Sequence, residues 1–99
     1  MELDKITAGD FKPLLNEKIA IQFTPEIQLV AELIALTELN GYSPLERKPF
    51  SLTFRTEQKT EYYNQGIFIV AHPSKGELSI FMSPKGFDKV GMKYEAIFS

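Results

Sequence analysis

The chain has 99 residues, 43% of them hydrophobic and 24% charged, with 11 bases against 13 acids and a net charge of −2. That length fits one domain, residues 1–99, around one core, and the composition excludes disordered, collagen-like and fibrous classes. Charge divides weakly along the chain, −3 over residues 1–49 (8 acids, 5 bases) and +1 over 50–99 (5 acids, 6 bases), which is not the basic surplus that grips a phosphate backbone; with no cysteine there is no disulfide, thiolate zinc site or thiol redox chemistry.

Met1-Glu2-Leu3-Asp4-Lys5 lacks the apolar stretch of a signal peptide, and no apolar run approaches the roughly 18 residues that cross a bilayer. A cytoplasmic location without membrane contact is expected. Thr7, with Asp10 three residues on, is a helix-start pattern, and Phe11, Leu14 and Leu15 share one helical face. Pro13 is tolerated in a first turn. This predicts a short helix or helical turn within 8–16, plugging one end of a sheet.

The period then changes to two. Ile19, Ile21 and Phe23 alternate with Ala20 and Gln22 as a strand, and Pro25-Glu26 breaks it. Ile27, Leu29, Ala31 and Leu33 alternate with Gln28, Val30 and Glu32, after which the apolar phase slips to Ile34 and Leu36. A bulge that turns a corner explains such a slip. Glu32, Leu33, Leu36 and Leu39 are also good helix formers, so a helix competes here, but the neighbouring strands favour a strand. Asn40–Pro49 is turn chemistry. Phe50, Leu52, Phe54 and Thr56 alternate with Ser51, Thr53 and Arg55, a half-buried strand, and 58–65 reads as a polar loop carrying Tyr62 and Tyr63. Ile67–Ala71 is an unbroken β-branched and aromatic run, read as a central strand, and His72-Pro73-Ser74-Lys75-Gly76 as a tight turn. Leu78, Ile80 and Met82 alternate with Ser79 and Phe81 in the return strand. Ser83–Gly91 reads as a longer connection. In the last strand Tyr94, Ala96 and Phe98 face one way and Lys93, Glu95 and Ile97 the other. No internal repeat is visible. Six short strands after one short N-terminal helix predict a mainly β fold, an antiparallel six-stranded meander closed as a small barrel or folded as a two-layer sandwich, because parallel pairing would need crossovers that the chain has no room for.

The residues supply little chemistry. His72 is the single histidine, with Ser74 two residues away, but a triad also needs an orienting acid and an oxyanion hole. The plainer reading is a strand-end ring bonded to nearby backbone. Glu57 with Glu61, and Glu32 with Glu38, read as solvated acids, and Asp88 stands alone in its connection. The glycines form no phosphate-binding pattern; Gly76, Gly86 and Gly91 read as positive-φ turn residues. No catalytic, cofactor-binding or metal-binding residue is therefore predicted, and the chain is not read as an enzyme. Lys75, Lys85, Lys89 and Lys93, interleaved with Phe81, Phe87 and Tyr94, give an alternative reading as an OB-like domain that stacks single-stranded nucleic acid. Glu77, Asp88 and Glu95 dilute that cluster, and Phe81 and Tyr94 sit in strand periodicity and read as core. The preferred reading is a structural or assembly module. It binds a protein partner or itself through a free sheet edge or through the loop aromatics Tyr42, Tyr62, Tyr63 and Phe87, with Arg47 and Arg55 pairing acids of the partner.

A string in the final third is distinctive: His72-Pro73, Gly76, Ile80-Phe81, Pro84, Gly86, Asp88, Gly91 and Tyr94-Glu95-Ala96-x-Phe98, together with the opening Leu3-x-x-Ile6-Thr7-x-x-x-Phe11. Over nearly its whole length the chain resembles a family of small uncharacterised bacterial β-rich proteins of about a hundred residues. The resemblance implies an accessory or assembly role beside phage-tail-like or tail-collar proteins. It carries no catalytic residue over, since its motif positions are turns and core aromatics.

Overall fold

Residues 5–39 and 48–98 are described by the computed structural model. Their first element is the expected short helix, α1 (Ala8–Phe11), whose opening turn is fixed by the Asp10 carboxylate accepting from the Thr7 N–H at 2.8 Å. A 3₁₀ turn over Lys12–Leu14 follows, with Pro13 in its first positions. Asn16 then takes a left-handed conformation (φ 69°) and swings the chain into the first strand.

Six strands follow: β1 (Lys18–Thr24), β2 (Ile27–Glu38), β3 (Phe50–Arg55), β4 (Gly66–His72), β5 (Gly76–Phe87) and β6 (Met92–Phe98). All pairings are antiparallel, and the order β1-β2-β3-β6-β5-β4 closes on itself, so the outcome is a barrel and not a sandwich. The meander occurs twice, as β1-β2-β3 and as β4-β5-β6, joined edge to edge. In each triplet the long middle strand changes partners at a ladder irregularity. β2 pairs with β1 up to Glu32 and with β3 from Glu32 onward, slipping register between Leu33 and Ala35. This is the corner expected at Ile34, and the strand reading of that run prevails over the helical one. β5 pairs with β4 through Gly76–Met82 and with β6 through Ser83–Phe87, slipping between Pro84 and Gly86. Here the structure departs from the expected loop over Ser83–Gly91. Gly86, at φ 121°, supplies a kink that lets the strand continue past a residue with no N–H to donate. The two triplets thus repeat a construction that the sequence does not echo.

Alternation fills the interior. Ile21 and Phe23 of β1, Ala31 and Leu33 of β2, Leu52 and Phe54 of β3, Phe68 and Val70 of β4, Leu78, Ile80 and Met82 of β5, and Tyr94 and Ala96 of β6 are all buried. One end is closed by Ile6 and Phe11 over the stacked rings of Phe50 and Phe98, whose centroids lie 4.6 Å apart. The other end is closed by Phe23, Tyr63, Phe68 and Tyr94, with centroids 4.6–6.5 Å apart. Two expectations are corrected, for Phe81 and for Gly91. Phe81, read as core, faces outward at 53% exposure, and Ile67, in the run read as a central strand, does so at 68%, because β4 and β5 each turn only alternate residues inward. Gly91 is not a positive-φ residue. It is required because a Cβ there would lie 1.7 Å from the Thr56 carbonyl oxygen, whereas Gly76 (φ 81°) and Gly86 do hold the expected conformation.

Candidate interaction surface

His72 has the plainer of its two readings. Its ring is buried at the end of β4 and meets Phe11 edge-on, centroids 5.0 Å apart. Nδ1 accepts from the Ser74 and Lys75 N–H groups, each at 3.1 Å, so the proton sits on Nε2, which donates to the Asp10 carbonyl at 2.7 Å. Both nitrogens are committed to backbone: the ring ties the β4–β5 turn to α1. Asp10 is itself held below the usual carboxylate range, chiefly by the Thr7 N–H, and pairs with Lys75 at 3.7 Å.

Of the four acids read as solvated, Glu38 and Glu32 are paired. Glu38 takes Lys12 at 2.9 Å and Lys48 at 3.7 Å, and the Lys12 bond leads the lowering of its carboxyl. Arg55 lies between Asp88 (3.0 Å) and Glu32 (3.6 Å), so it braces its own barrel. Arg47 lies outside the described residues. Asp88 is the anchor of the β5–β6 turn. Its Oδ1 accepts from the Gly91 N–H (2.9 Å) and the Val90 N–H (2.8 Å), and those bonds, followed by Arg55, bring its carboxyl down from 3.8 to about 2. A carboxyl depressed in the folded state contributes stability that is present above its unfolded value and is lost as pH falls through the folded one. Wild type is therefore expected to lose stability from about pH 4 down to about pH 2, and Asp88→Asn to flatten that limb in urea denaturation, leaving the smaller slopes of Asp10 and Glu38. Among the described residues, no three His, Cys, Asp or Glu side chains gather where they could hold a metal ion.

Of the basic cluster, Lys75 stands apart at the α1 end, while Lys85, Lys89 and Lys93 lie on or beside the β5–β6 wall among acids. Lys75 pairs with Asp10 beside α1, and Lys85 with Glu95 at 3.1 Å on the β5–β6 wall. Lys93 sits on β6 opposite Arg55, and Lys89 lies in the turn after β5. Tyr94 is fully buried and offers no face for stacking.

The loop aromatics separate. Tyr42 lies outside the described residues. Tyr63 stacks on Phe23 (5.0 Å, 17°), and its N–H donates to the Tyr94 hydroxyl at 3.0 Å, which in turn donates to Gln58 Oε1 at 2.8 Å. Burial pushes the Tyr94 phenol up. Tyr63 is thus a lid on the core. Tyr62 and Phe87 stay exposed and meet edge to face at 6.2 Å, lining with Pro84, Gly86 and Met92 a shallow hollow of about 280 Å³.

A second apolar feature involves Phe81, which the sequence reading placed in the core. Ile67 and Phe81 are direct cross-strand partners, and both are exposed. Around them, the outward positions Ala20, Gln22 and Thr24 of β1, Ile69 and Ala71 of β4, and Ser79 and Ser83 of β5 carry no charge, and the outward charges of these strands, Lys18 of β1 and Glu77 of β5 opposite Ala71, lie at the margin. On the opposite wall the outward positions hold Glu32, Arg55, Lys93, Glu95 and Lys85, and also the exposed Ile97. The signal for this face was in the sequence: Phe68, Val70 and His72 share one phase and Ile67, Ile69 and Ala71 the other, but both phases of the run are apolar.

The described residues contain no helix long and apolar enough to cross a membrane. A family model for a domain of unknown function matches residues 6–98. No curated protein and no solved structure matches the chain.

Proposed function

The chain belongs to the DUF6916 family, a domain of unknown function, and from that premise we propose that it is a non-enzymatic interaction module that docks through the outside of its barrel. The observation that carries the reading is an uncharged patch on the outer wall of β1, β4 and β5, centred on the exposed Ile67–Phe81 pair and bounded by Lys18 and Glu77. Exposed apolar residues grouped on one face mark docking surfaces, and aromatic anchors supply most of their energy. A face without charge is also its own complement. Two copies related by a two-fold axis bring it together without like-charge repulsion, so self-association is the form to test first. Tyr62 and Phe87 add a second aromatic contact. The resemblance to small bacterial proteins supports a narrower version, an assembly role in the cytoplasm beside phage-tail-like or tail-collar proteins.

The test is light scattering coupled to size-exclusion chromatography, from micromolar to millimolar protein. Wild type is expected to rise in mass with concentration. A variant carrying Ile67→Lys and Phe81→Glu is expected to remain monomeric with an unchanged circular dichroism spectrum, since both side chains already face water. Strictly monomeric wild type across that range removes the self-association form, and the hetero form then requires that neighbouring gene products be captured by wild type and not by the double variant. Capture by both proteins alike contradicts the assignment of the face.

A further inference from the structure

The ladder between β2 and β3 begins only at the Glu32–Arg55 pair, so the first part of β2 runs beside β1 alone. Leu33 sets the direction of its backbone groups. Its N–H donates to the Glu17 carbonyl at 3.1 Å and its carbonyl accepts from the Asn16 N–H at 2.7 Å, both on the β1 side. The β1–β2 register is regular from Glu32 back to Gln28, so alternation turns the N–H and C=O of Gln28 and Val30 to the other, open side. Among the described residues neither has a strand partner there.

The edge is open because β3 leaves its line. The Thr56 N–H donates to the Met92 carbonyl at 2.9 Å, and Thr56 Oγ1 accepts from the Gln58 N–H at 3.3 Å, which bends the chain toward β6. Gly91, with no Cβ, lets the β5–β6 turn press against Thr56. Between β2 and the departing chain lie two adjoining hollows of about 250 and 390 Å³ that share Val30 and Glu57. Natural edges are blunted by charge, proline or a covering segment. The stretch Ile27-Gln28-Leu29-Val30-Ala31 has neither charge nor proline, and Val30 is 55% exposed.

We infer that this edge binds an extended segment of a partner protein as an added strand. The backbone decides the class of ligand: N–H and C=O pairs repeating every second residue are matched by extended polypeptide. The groove decides its character. Lys18 and Arg55 balance Glu32 and Glu57, so the segment is uncharged, and a β-branched residue seats against Val30 and Val90. A second copy fits less well, because its own β2 edge is recessed behind its own Thr56–Gln58 wall. This site is separate from the Ile67–Phe81 face and does not depend on it.

The probe is an acetylated, amidated peptide that alternates threonine and valine, titrated into the ¹⁵N-labelled full chain up to millimolar concentration. In the free protein the Gln28 and Val30 amides are expected to exchange as fast as loop amides, while Leu29 and Ala31 are protected. Peptide is expected to shift Gln28 and Val30 and slow their exchange at least tenfold, with affinity changing less than twofold between low and high salt. A peptide N-methylated on its pairing amides is expected not to bind. Val30→Pro removes a donor that no ladder uses, so the fold is retained and binding lost. Any of four results overturns the proposal: Gln28 and Val30 already protected in the free protein, no shift at millimolar peptide, equal binding of the N-methylated peptide, or a dimer that Val30→Pro dissolves, which gives the edge to a second copy.

Discussion

Gly91→Ala is expected to lower the unfolding free energy by about 3 kcal/mol, among the largest effects of any single substitution in the chain. The added Cβ would lie 1.7 Å from the Thr56 carbonyl oxygen, 2.7 Å from its carbonyl carbon and 3.0 Å from Glu57 Cα. All three are backbone atoms, so no side-chain rotation relieves the overlap. Making room separates the β5–β6 turn from the end of β3 and strains the Thr56–Met92 bond (2.9 Å), the Asp88–Gly91 bond (2.8 Å) and the two N–H bonds to the Asp88 carboxylate. Gly66→Ala is the control: its nearest contact would be a flexible phenyl edge at 3.7 Å, and its effect is expected to stay within about 1 kcal/mol. Thermal unfolding reads the difference, since about 3 kcal/mol corresponds to a melting shift of about 12 °C or more in a domain of this size. Equal melting of the two variants would mean that the turn does not press on Thr56.

Phe11→Ala is expected to cost about 3–5 kcal/mol, the range for emptying a buried phenylalanine site. Phe11 is fully buried although it belongs to a helix of only four residues. It meets His72 edge-on at 5.0 Å and Phe98 at 6.3 Å, so truncation empties the barrel mouth and exposes the stacked Phe50 and Phe98 rings. A helix this short has no stability of its own. It is held by Phe11 from inside, and by the His72–Asp10 bond and the Lys75–Asp10 and Lys12–Glu38 pairs from outside. Urea denaturation measures the loss. Exchange of the α1 and His72–Gly76 amides should rise together in the variant, since one ring fastens both. A cost below about 1 kcal/mol would show that the barrel closes without its plug.

Faces were more legible in this sequence than neighbours. Alternation in Ile19–Phe23, Phe50–Thr56 and Tyr94–Phe98 assigns core and solvent sides because a strand's period of two is local. The phase slip at Ile34 located a corner for the same reason. Which strand lies beside which is decided by distant parts of the chain, so the pairing of β3 with β6 and of β1 with β4 left no local mark. Pro84 and Gly86 look like loop residues, and only the kinked second half of β5 shows how a strand absorbs them. Along Ile67–Ala71 both phases are apolar, which hid the outward face. The loop aromatics have no period at all. Tyr62 and Tyr63 are adjacent and equivalent in sequence, and what separates them is that Phe23 and Tyr94, each some thirty residues or more away, receive one ring and leave the other in water.

The central claim is that the module docks through the outer wall of β1, β4 and β5, with the interior serving stability and the β2 edge a separate site. Paramagnetic relaxation of side-chain protons by a neutral soluble gadolinium chelate tests it most directly, comparing dilute protein with the associated or partner-bound form. The Ile67 methyls and the Phe81 ring are expected to be strongly relaxed when dilute and shielded in the complex, with the Lys85 and Lys93 side chains equally exposed in both. Shielding confined to the lysine wall, with Ile67 and Phe81 unchanged, would contradict the account.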